Sequence, residues 1–287
     1  MNRSPKGVKT VLRTIAALGV LALIAGGAVV YSGIYNVAAT SQHTDPVYYL
    51  LHYAMQRSVK LRAKDIQVPP LDDPRSEHRG LALYREHCLQ CHGAPGVAPN
   101  PLGFGTRPAP ANLVEAAREW PAAEIYWVVR HGLKFTAMPA WQYRLTDQEL
   151  WDLTAFVKRL PTLSPLDYQA WIKAYPPVQA AASARAVASG GSVLGDAETG
   201  RHAIQQYLCG TCHRIPGVAG ASATVGPPLE RIATRRYLGG VLLNTPENMI
   251  RWLRDPQAVD PLSAMPDLHI RENDLRDIAA YLYTLSD

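Results

Sequence analysis

The pattern Cys-x-x-Cys-His occurs twice in this chain of 287 residues, as CLQCH at residues 88–92 and as CGTCH at residues 209–213. These two copies contain all 4 cysteines of the chain. In such a pattern the two thiols can bond the vinyl groups of haem, and the histidine can ligate its iron. The sequence therefore predicts two covalently bound haem c groups, with Cys88, Cys91, Cys209 and Cys212 as attachment residues and His92 and His213 as iron ligands.

The main alternative for two cysteine pairs is a single zinc site with four thiolate ligands. The pairs lie about 120 residues apart, much farther than the paired knuckles of zinc sites, and zinc gives no reason for a histidine after each pair. A disulfide framework is also disfavoured, because a chain of this length can bury a hydrophobic core without covalent cross-links. Haem attachment remains the favoured interpretation.

An apolar stretch near the N-terminus predicts a membrane helix. Residues 14–44 contain no Asp, Glu, Lys or Arg, and their apolar part is about long enough to cross ~30 Å of hydrocarbon as a helix. The basic residues before it favour a cytoplasmic tail and a periplasmic remainder, with a single pass through the inner membrane. We expect an uncleaved anchor. A cleaved signal peptide is the alternative, because residues 37–39 resemble a small-residue cleavage site.

The charge balance argues against a nucleic-acid partner. Four of the 29 basic residues precede the apolar stretch, which leaves 25 basic against 24 acidic residues in the rest of the chain. Proteins that bind nucleic acid carry a strongly basic surface. No such excess is present, so we exclude nucleic acid as a partner.

Composition and periodicity divide the chain into five parts. An amphipathic helix is predicted from residue 46 to about residue 62, and a proline-rich segment follows it. A second break is the Ala/Ser/Gly-rich stretch before residue 195, which has a linker composition. The predicted parts are a tail and anchor (1–44), the helix and connection (45–76), a first domain (77–164), a linker (165–195) and a second domain (196–287).

Both domains are predicted to follow one helical plan. A first helix carries the cysteines, a second precedes a Met-Pro loop, and a third closes the domain. Thr146 and Glu149 predict a capping box at the start of the first closing helix. The apolar positions of the two closing helices align, Leu150 with Leu275 and so on, which indicates an internal repeat at the scale of a domain.

Each Met-Pro loop offers a second axial ligand for iron. Met138 lies in KFTAMPAW and Met265 in PLSAMPDL, and a thioether ligand raises the potential of haem iron by favouring the ferrous state. We predict Met138 and Met265 as the sixth ligands. His131 and His269 are the rival ligands, because histidine serves equally well in principle.

Both domains resemble class I cytochrome c domains, over nearly all of residues 77–164 and 196–287. The resemblance is more specific in the second domain, where CHRIPGV, GPPL, NTPENM, AMPDL and AAYLYTL follow the order of the family. It implies an all-α fold, with two tandem class I cytochrome c domains after a single N-terminal transmembrane helix. It also implies that the carbonyl of Pro227 accepts a hydrogen bond from His213. The first domain lacks GPPL, and there the carbonyl of Pro108 or Pro110 is expected to accept the equivalent hydrogen bond from the histidine.

The whole chain resembles the membrane-anchored dihaem cytochromes of bacterial respiration. This implies an electron-transfer protein with no catalytic residues, which relays electrons from a quinol-oxidising complex or a periplasmic dehydrogenase to a terminal oxidase. The alternatives are a cytochrome subunit of a periplasmic dehydrogenase and, less favoured, a dihaem peroxidase. A peroxidase needs an iron that is open to substrate, whereas this chain offers a methionine for each iron. The linker composition leads us to expect that the second domain moves relative to the first.

Overall fold

The computed structural model describes residues 5–175 and 193–286, and its first element is a long apolar helix. Helix α1 (Pro5–Ser32) has 28 residues, so it is about 42 Å long at 1.5 Å per residue. None of the side chains in its most apolar window is buried. Its length and composition are sufficient to cross a membrane, and exposure on every side is what a lipid-facing helix requires.

Between α1 and residue 175, the elements longer than an isolated bridge are all helices. The two short 3-10 turns lie at Trp141–Tyr143 and Leu160–Thr162. The helices are α2 (Asp45–Ala63), α3 (Pro74–His87), α4 (Leu89–His92), α5 (Pro101–Gly105), α6 (Leu113–Glu119), α7 (Ala122–His131), α8 (Asp147–Arg159) and α9 (Pro165–Ala174).

The second half contains four helices and one small hairpin. The helices are α10 (Ala197–Gln206), α11 (Pro246–Arg254), α12 (Pro256–Val259) and α13 (Glu272–Tyr283). Strands β1 (Tyr237–Leu238) and β2 (Leu242–Leu243) pair antiparallel, with Tyr237 opposite Leu243. The fold is therefore mostly helical, and this hairpin is a departure from the all-α fold that the sequence predicts.

Side-chain caps explain where several of these helices begin. The capping box expected at Thr146 and Glu149 is present at the start of α8. A second capping box, formed by Ser164 and Asp167, starts α9. Asp73 accepts a hydrogen bond from the backbone N–H of Arg75 at the start of α3. Each cap satisfies backbone donors that the first turn of a helix leaves without partners.

In each half, the helix that precedes the Cys-x-x-Cys-His motif crosses a later helix at a glycine. Gly80 of α3 lies against the backbone carbonyl of Asp152 in α8, and Gly200 of α10 lies against the backbone carbonyl of Asp277 in α13. A Cβ atom at either glycine would overlap that carbonyl group. Each half thus contains its own helix crossing of the same kind, which agrees with the repeat seen in the sequence. Leu81, Leu153, Ile204 and Ile278 are almost wholly buried beside these crossings.

Helix α9 extends the first domain beyond its predicted end. The sequence assigns residues 165–195 to a linker, but residues 165–174 form a helix. Tyr168 of this helix is 1% exposed, and Trp171 and Ile172 pack against the core of the first half. The Ala-rich part of the predicted linker lies outside the described residues.

The two halves pack directly against each other. Ala140 and Tyr143 of the first half are buried in the hydrophobic core of the second. The hydroxyl of Tyr207 lies 3.0 Å from the carbonyl oxygen of Tyr143, and it donates to Asp274 at 2.8 Å. Arg271 pairs with the same carboxylate, at 2.8 Å. We expected a second domain that moves on its linker, but the structure shows a buried contact between the halves.

Candidate haem-attachment sites

The first motif forms one helical turn directly after α3. The N–H of Cys88 donates to the carbonyl of Tyr84 at 2.9 Å, and the N–H of His92 donates to the carbonyl of Cys88 at 3.0 Å. Cys88 and His92 are therefore one helical turn apart, so their side chains lie on one side of the turn. The buried hydroxyl of Tyr84 donates to the carbonyl of Gly93 at 2.6 Å and holds the chain where it leaves the motif.

The ring of His92 is oriented by a backbone carbonyl. Its Nδ1 lies 2.8 Å from the carbonyl oxygen of Ala111. This contact fixes the ring and leaves Nε2 as the nitrogen that can ligate iron, which is how backbone carbonyls orient metal-ligating histidines. The sequence predicted Pro108 or Pro110 for this role, and the structure assigns it to Ala111 instead. The reason is local, because any residue can supply a carbonyl and only the path of the loop selects one.

The second motif reaches the same arrangement by a different backbone route. Helix α10 ends at Gln206, and Leu208 adopts a left-handed conformation with φ of 59° before a 3-10 turn over Cys209–Thr211. The N–H of His213 then donates to the carbonyl of Cys209 at 3.0 Å. Nδ1 of His213 lies 2.7 Å from the carbonyl oxygen of Pro227, which is the contact expected from the GPPL segment.

Gly226 positions the ring of His213 by having no side chain. A Cβ atom built at Gly226 would lie 2.5 Å from Cε1 and 2.8 Å from Nδ1 of that ring. The N–H of Gly226 also donates to the carbonyl of Cys212 at 2.8 Å, which ties the loop to the motif. The sequence analysis missed the role of Gly226, although its place beside Pro227 in GPPL was a signal for it.

Replacing Gly226 with alanine is expected to displace His213. The added methyl group cannot share space with the imidazole, so the ring has to turn away from Pro227 and lose its orienting hydrogen bond. We expect a lower low-spin fraction at the second haem site in the absorption and EPR spectra. The first site of the same molecule is the internal control, and Gly105→Ala is a matched variant because a Cβ there meets no atom within 4 Å. Unchanged spectra at both sites would contradict this role of Gly226.

The two predicted methionine ligands lie in loops of the same construction. The N–H of Met138 donates to the hydroxyl of Thr136 at 3.0 Å, and the N–H of Met265 donates to the hydroxyl of Ser263 at 3.2 Å. Both methionines are partly buried against the core of their own half. A hydroxyl two residues before each methionine therefore fixes the backbone from which the thioether projects. The paired sequences TAMP and SAMP carried this signal, and the sequence analysis did not use it.

A glycine supports the first of these loops. Gly132 has φ of 65°, a left-handed conformation that favours glycine. A Cβ atom there would lie 2.7 Å from the carbonyl oxygen of Met138. The next residue, Leu133, donates its N–H to that same carbonyl at 3.2 Å. Contacts inside the loop thus fix both the N–H and the carbonyl group of Met138.

The rival histidine ligands lie in more exposed positions. The side chain of His269 is 89% exposed, and its Nδ1 lies 2.9 Å from the carboxylate of Asp267. His131 is an exposed residue at the last position of α7, with its ring centroid 4.9 Å from that of Trp127. Both histidines are exposed, whereas both methionines are partly buried against the core of their own half, so the local geometry favours Met138 and Met265.

The four cysteines fit thioether attachment better than a shared zinc site. All are free thiols, and burial raises the pKa of Cys88 to about 12 and that of Cys209 to about 11. Within residues 5–175 and 193–286, no three His, Cys, Asp or Glu side chains form a group that could hold a metal ion. The donor set at each motif, two thiols and one oriented imidazole, therefore fits haem c.

A cavity of about 1120 Å³ lies beside the first motif. Cys91, His92 and the loop that ends at Ala111 form part of its lining, and residues between Asn36 and Tyr49 form another part. The segment that follows α1 is thus folded against the first site.

Comparison with known proteins finds similarity to cytochrome c oxidase subunits. Residues 75–157 match the family described as cytochrome c oxidase, cbb3-type, subunit III. A cytochrome c oxidase subunit 2 from Alkalihalophilus pseudofirmus is 32% identical over 90 residues, which is 31% of this chain and 25% of that protein. The chain thus spans about a quarter of the length of this curated relative. No solved structure matches the chain. These similarities support a c-type cytochrome domain with covalently bound haem c, and hence an electron-transfer protein.

Proposed function

We propose that this chain is a membrane-anchored dihaem cytochrome that relays electrons in a bacterial respiratory chain. The observation that carries the proposal is the repetition of one complete donor set. In each half, a Cys-x-x-Cys-His turn presents an imidazole oriented through Nδ1 by a backbone carbonyl. Each half also holds a Met-Pro loop through a hydroxyl two residues earlier.

Each residue of the donor set has one task in this proposal. Cys88, Cys91, Cys209 and Cys212 supply the thiols for attachment. His92 and His213 present Nε2, and Met138 and Met265 present their sulfur atoms as second ligands. A bound haem supplies a one-electron couple between ferrous and ferric iron. If His92 with Met138 and His213 with Met265 held the two irons, no position would be left for a substrate, which would favour electron transfer over peroxidase chemistry.

The proposed partners are membrane complexes. The matched family and the curated relative are both described as subunits of cytochrome c oxidases, so we propose a terminal oxidase as the electron acceptor. A quinol-oxidising complex or a periplasmic dehydrogenase is the proposed donor. The positive-inside rule favours haem domains on the periplasmic side of the inner membrane, tethered by α1. Affinity purification from detergent-solubilised membranes tests this assignment, with an oxidase expected among the proteins recovered. Recovery of a dehydrogenase alone would favour the alternative role as its cytochrome subunit.

The number of haems is tested by removing one attachment site. In the double variant Cys209→Ser and Cys212→Ser, the haem that resists extraction with acidified organic solvent is expected to fall to about half of the wild-type content, since only thioether bonds hold haem through denaturation. The matching variant Cys88→Ser and Cys91→Ser is expected to lose the other half. A wild-type protein with one covalent haem per chain would contradict the dihaem proposal. High-spin iron with an open site would favour a peroxidase.

A further inference from the structure

The first half of α2 carries a run of exposed apolar and aromatic side chains. Residues 47–51 are Val-Tyr-Tyr-Leu-Leu, and Tyr53 follows after His52. Tyr49 is 66% exposed, Leu50 68% and Tyr53 63%. Tyr48 and Leu51 are each 46% exposed. Consecutive residues of a helix point about 100° apart, so these side chains face several sides of the helix, and His52 is the one strongly polar residue among residues 47–53. These five exposed residues are named the α2 patch.

A compact connector places the α2 patch near the end of α1. The 12 residues between Ser32 and Asp45 could span about 40 Å if they were extended. Instead, the hydroxyl of Tyr35 lies 2.6 Å from Nδ1 of His43, which closes most of the connector into a loop. Within that loop, the amide of Asn36 donates to the hydroxyl of Ser41 at 2.7 Å. The patch therefore begins close to the point where α1 leaves the membrane.

The second half of α2 is attached to the first domain. Val59 is 1% exposed and Ala63 is 3% exposed, and α2 packs against α7. One end of α2 is thus fixed to the first domain. At the other end Leu50, Leu51 and Tyr53 stay exposed, and Tyr48 and Tyr49 are exposed in part while they also line the cavity beside His92. Contiguous apolar surfaces of this kind in soluble proteins mark a binding site for a protein or a membrane.

The composition of the patch matches a membrane surface. Three of its five residues are tyrosines, and tyrosine concentrates at the boundary between lipid headgroups and acyl chains, where its ring is apolar and its hydroxyl is solvated. Exposed basic residues follow at Arg57 and Lys60, and such residues suit the phosphates of anionic lipids. A docking face for a soluble partner has no comparable reason to adjoin a membrane helix.

We infer that the α2 patch lies in the interfacial layer of the bilayer that α1 crosses and holds the first haem domain against the membrane surface. This inference rests on the proposed function of α1 as an anchor. The segment after α1 lines the cavity beside His92. The first site is therefore held at the membrane surface, and its position is not set by a flexible linker. A fixed position of this kind favours electron exchange with a membrane partner.

Photo-crosslinking of the full-length holoprotein tests the inference. A benzophenone amino acid replaces Leu50 in the patch, and in a control variant it replaces Leu166, which is 82% exposed in α9. In vesicles of phosphatidylethanolamine and phosphatidylglycerol, we expect at least about ten times more lipid adduct at position 50 than at position 166, because only a residue in the interface touches acyl chains. Equal lipid labelling at the two positions would overturn the inference. So would labelling of position 50 in native membranes by protein alone.

A charged variant separates the patch from the anchor. With the photo-reactive residue at Tyr53, the double substitution Leu50→Glu and Leu51→Glu is expected to lower lipid labelling about fivefold, because the interface disfavours adjacent carboxylates. Haem content and retention in carbonate-washed membranes are expected to stay unchanged. Unchanged labelling would contradict the contact between the patch and the lipid but would leave the membrane anchor unaffected. Release of the wild-type protein by carbonate would refute the anchor and, with it, this inference.

Discussion

The variant Met265→His is expected to lower the midpoint potential of the second haem site by roughly 0.2 V, a part of the ~0.8 V range that axial ligands span. Imidazole stabilises ferric iron relative to thioether, so the change has to be a decrease. The first site is expected to keep its potential, because the replaced residue packs within the second half. A spectro-electrochemical titration that resolves the two sites makes the measurement.

The reciprocal variant Met138→His is expected to lower the potential of the first site alone. Met249→Leu provides a matched control, because Met249 is 2% exposed in the core of the second half and such a swap conserves volume. Its potentials are expected to equal those of the wild type. If Met249→Leu shifted the potential of the second site as far as Met265→His does, the assignment of Met265 as a ligand would be lost.

Replacing Gly80 or Gly200 with alanine is expected to destabilise its domain by at least about 3 kcal/mol, at the upper end of the usual cost of overpacking. In each case the new Cβ atom meets a backbone carbonyl, which cannot move aside as the tip of a flexible side chain can. The helices have to separate, and the apolar side chains beside the crossing lose contacts. Thermal unfolding followed by far-UV circular dichroism measures the change.

Gly105→Ala is the control for these two glycine variants. A Cβ at Gly105 meets no atom within 4 Å, so we expect a change in stability within about 0.5 kcal/mol. A Gly80→Ala protein as stable as this control would show that the crossing of α3 and α8 is looser than the structure indicates. The same comparison applies to Gly200 in the second half.

The contact between the halves connects the two candidate sites through a short stretch of chain. Ala140, buried at this contact, comes two residues after Met138, and Tyr207 comes two residues before Cys209. The segment that follows Met138 therefore packs in the same core as Tyr207, the residue that closely precedes the second motif. In the dihaem relay proposed above, this contact would keep the distance between the two haems constant, which a flexible linker would not do.

The sequence alone predicted the chemistry of both candidate sites. Covalent attachment needs two thiols and a histidine at fixed spacing, so this pattern is local and visible without a fold. The capping box at Thr146 is local for the same reason, as is the long apolar segment of α1. The Met-Pro loops could be recognised because they recur at the same place in the two repeats. Each of these features depends on residues that are neighbours along the chain.

Only the tertiary structure decided how the local features are held together. The choice of Ala111 over Pro108 and Pro110 depends on the path of a loop, because every residue has a carbonyl and the side chain does not reveal which one faces His92. The roles of Gly80 and Gly226 depend on what lies opposite a missing Cβ atom. The packing of Tyr207 on Tyr143 joins residues 64 apart in the sequence. Contacts of this kind depend on the packing of the whole chain, and no short stretch of the sequence encodes them.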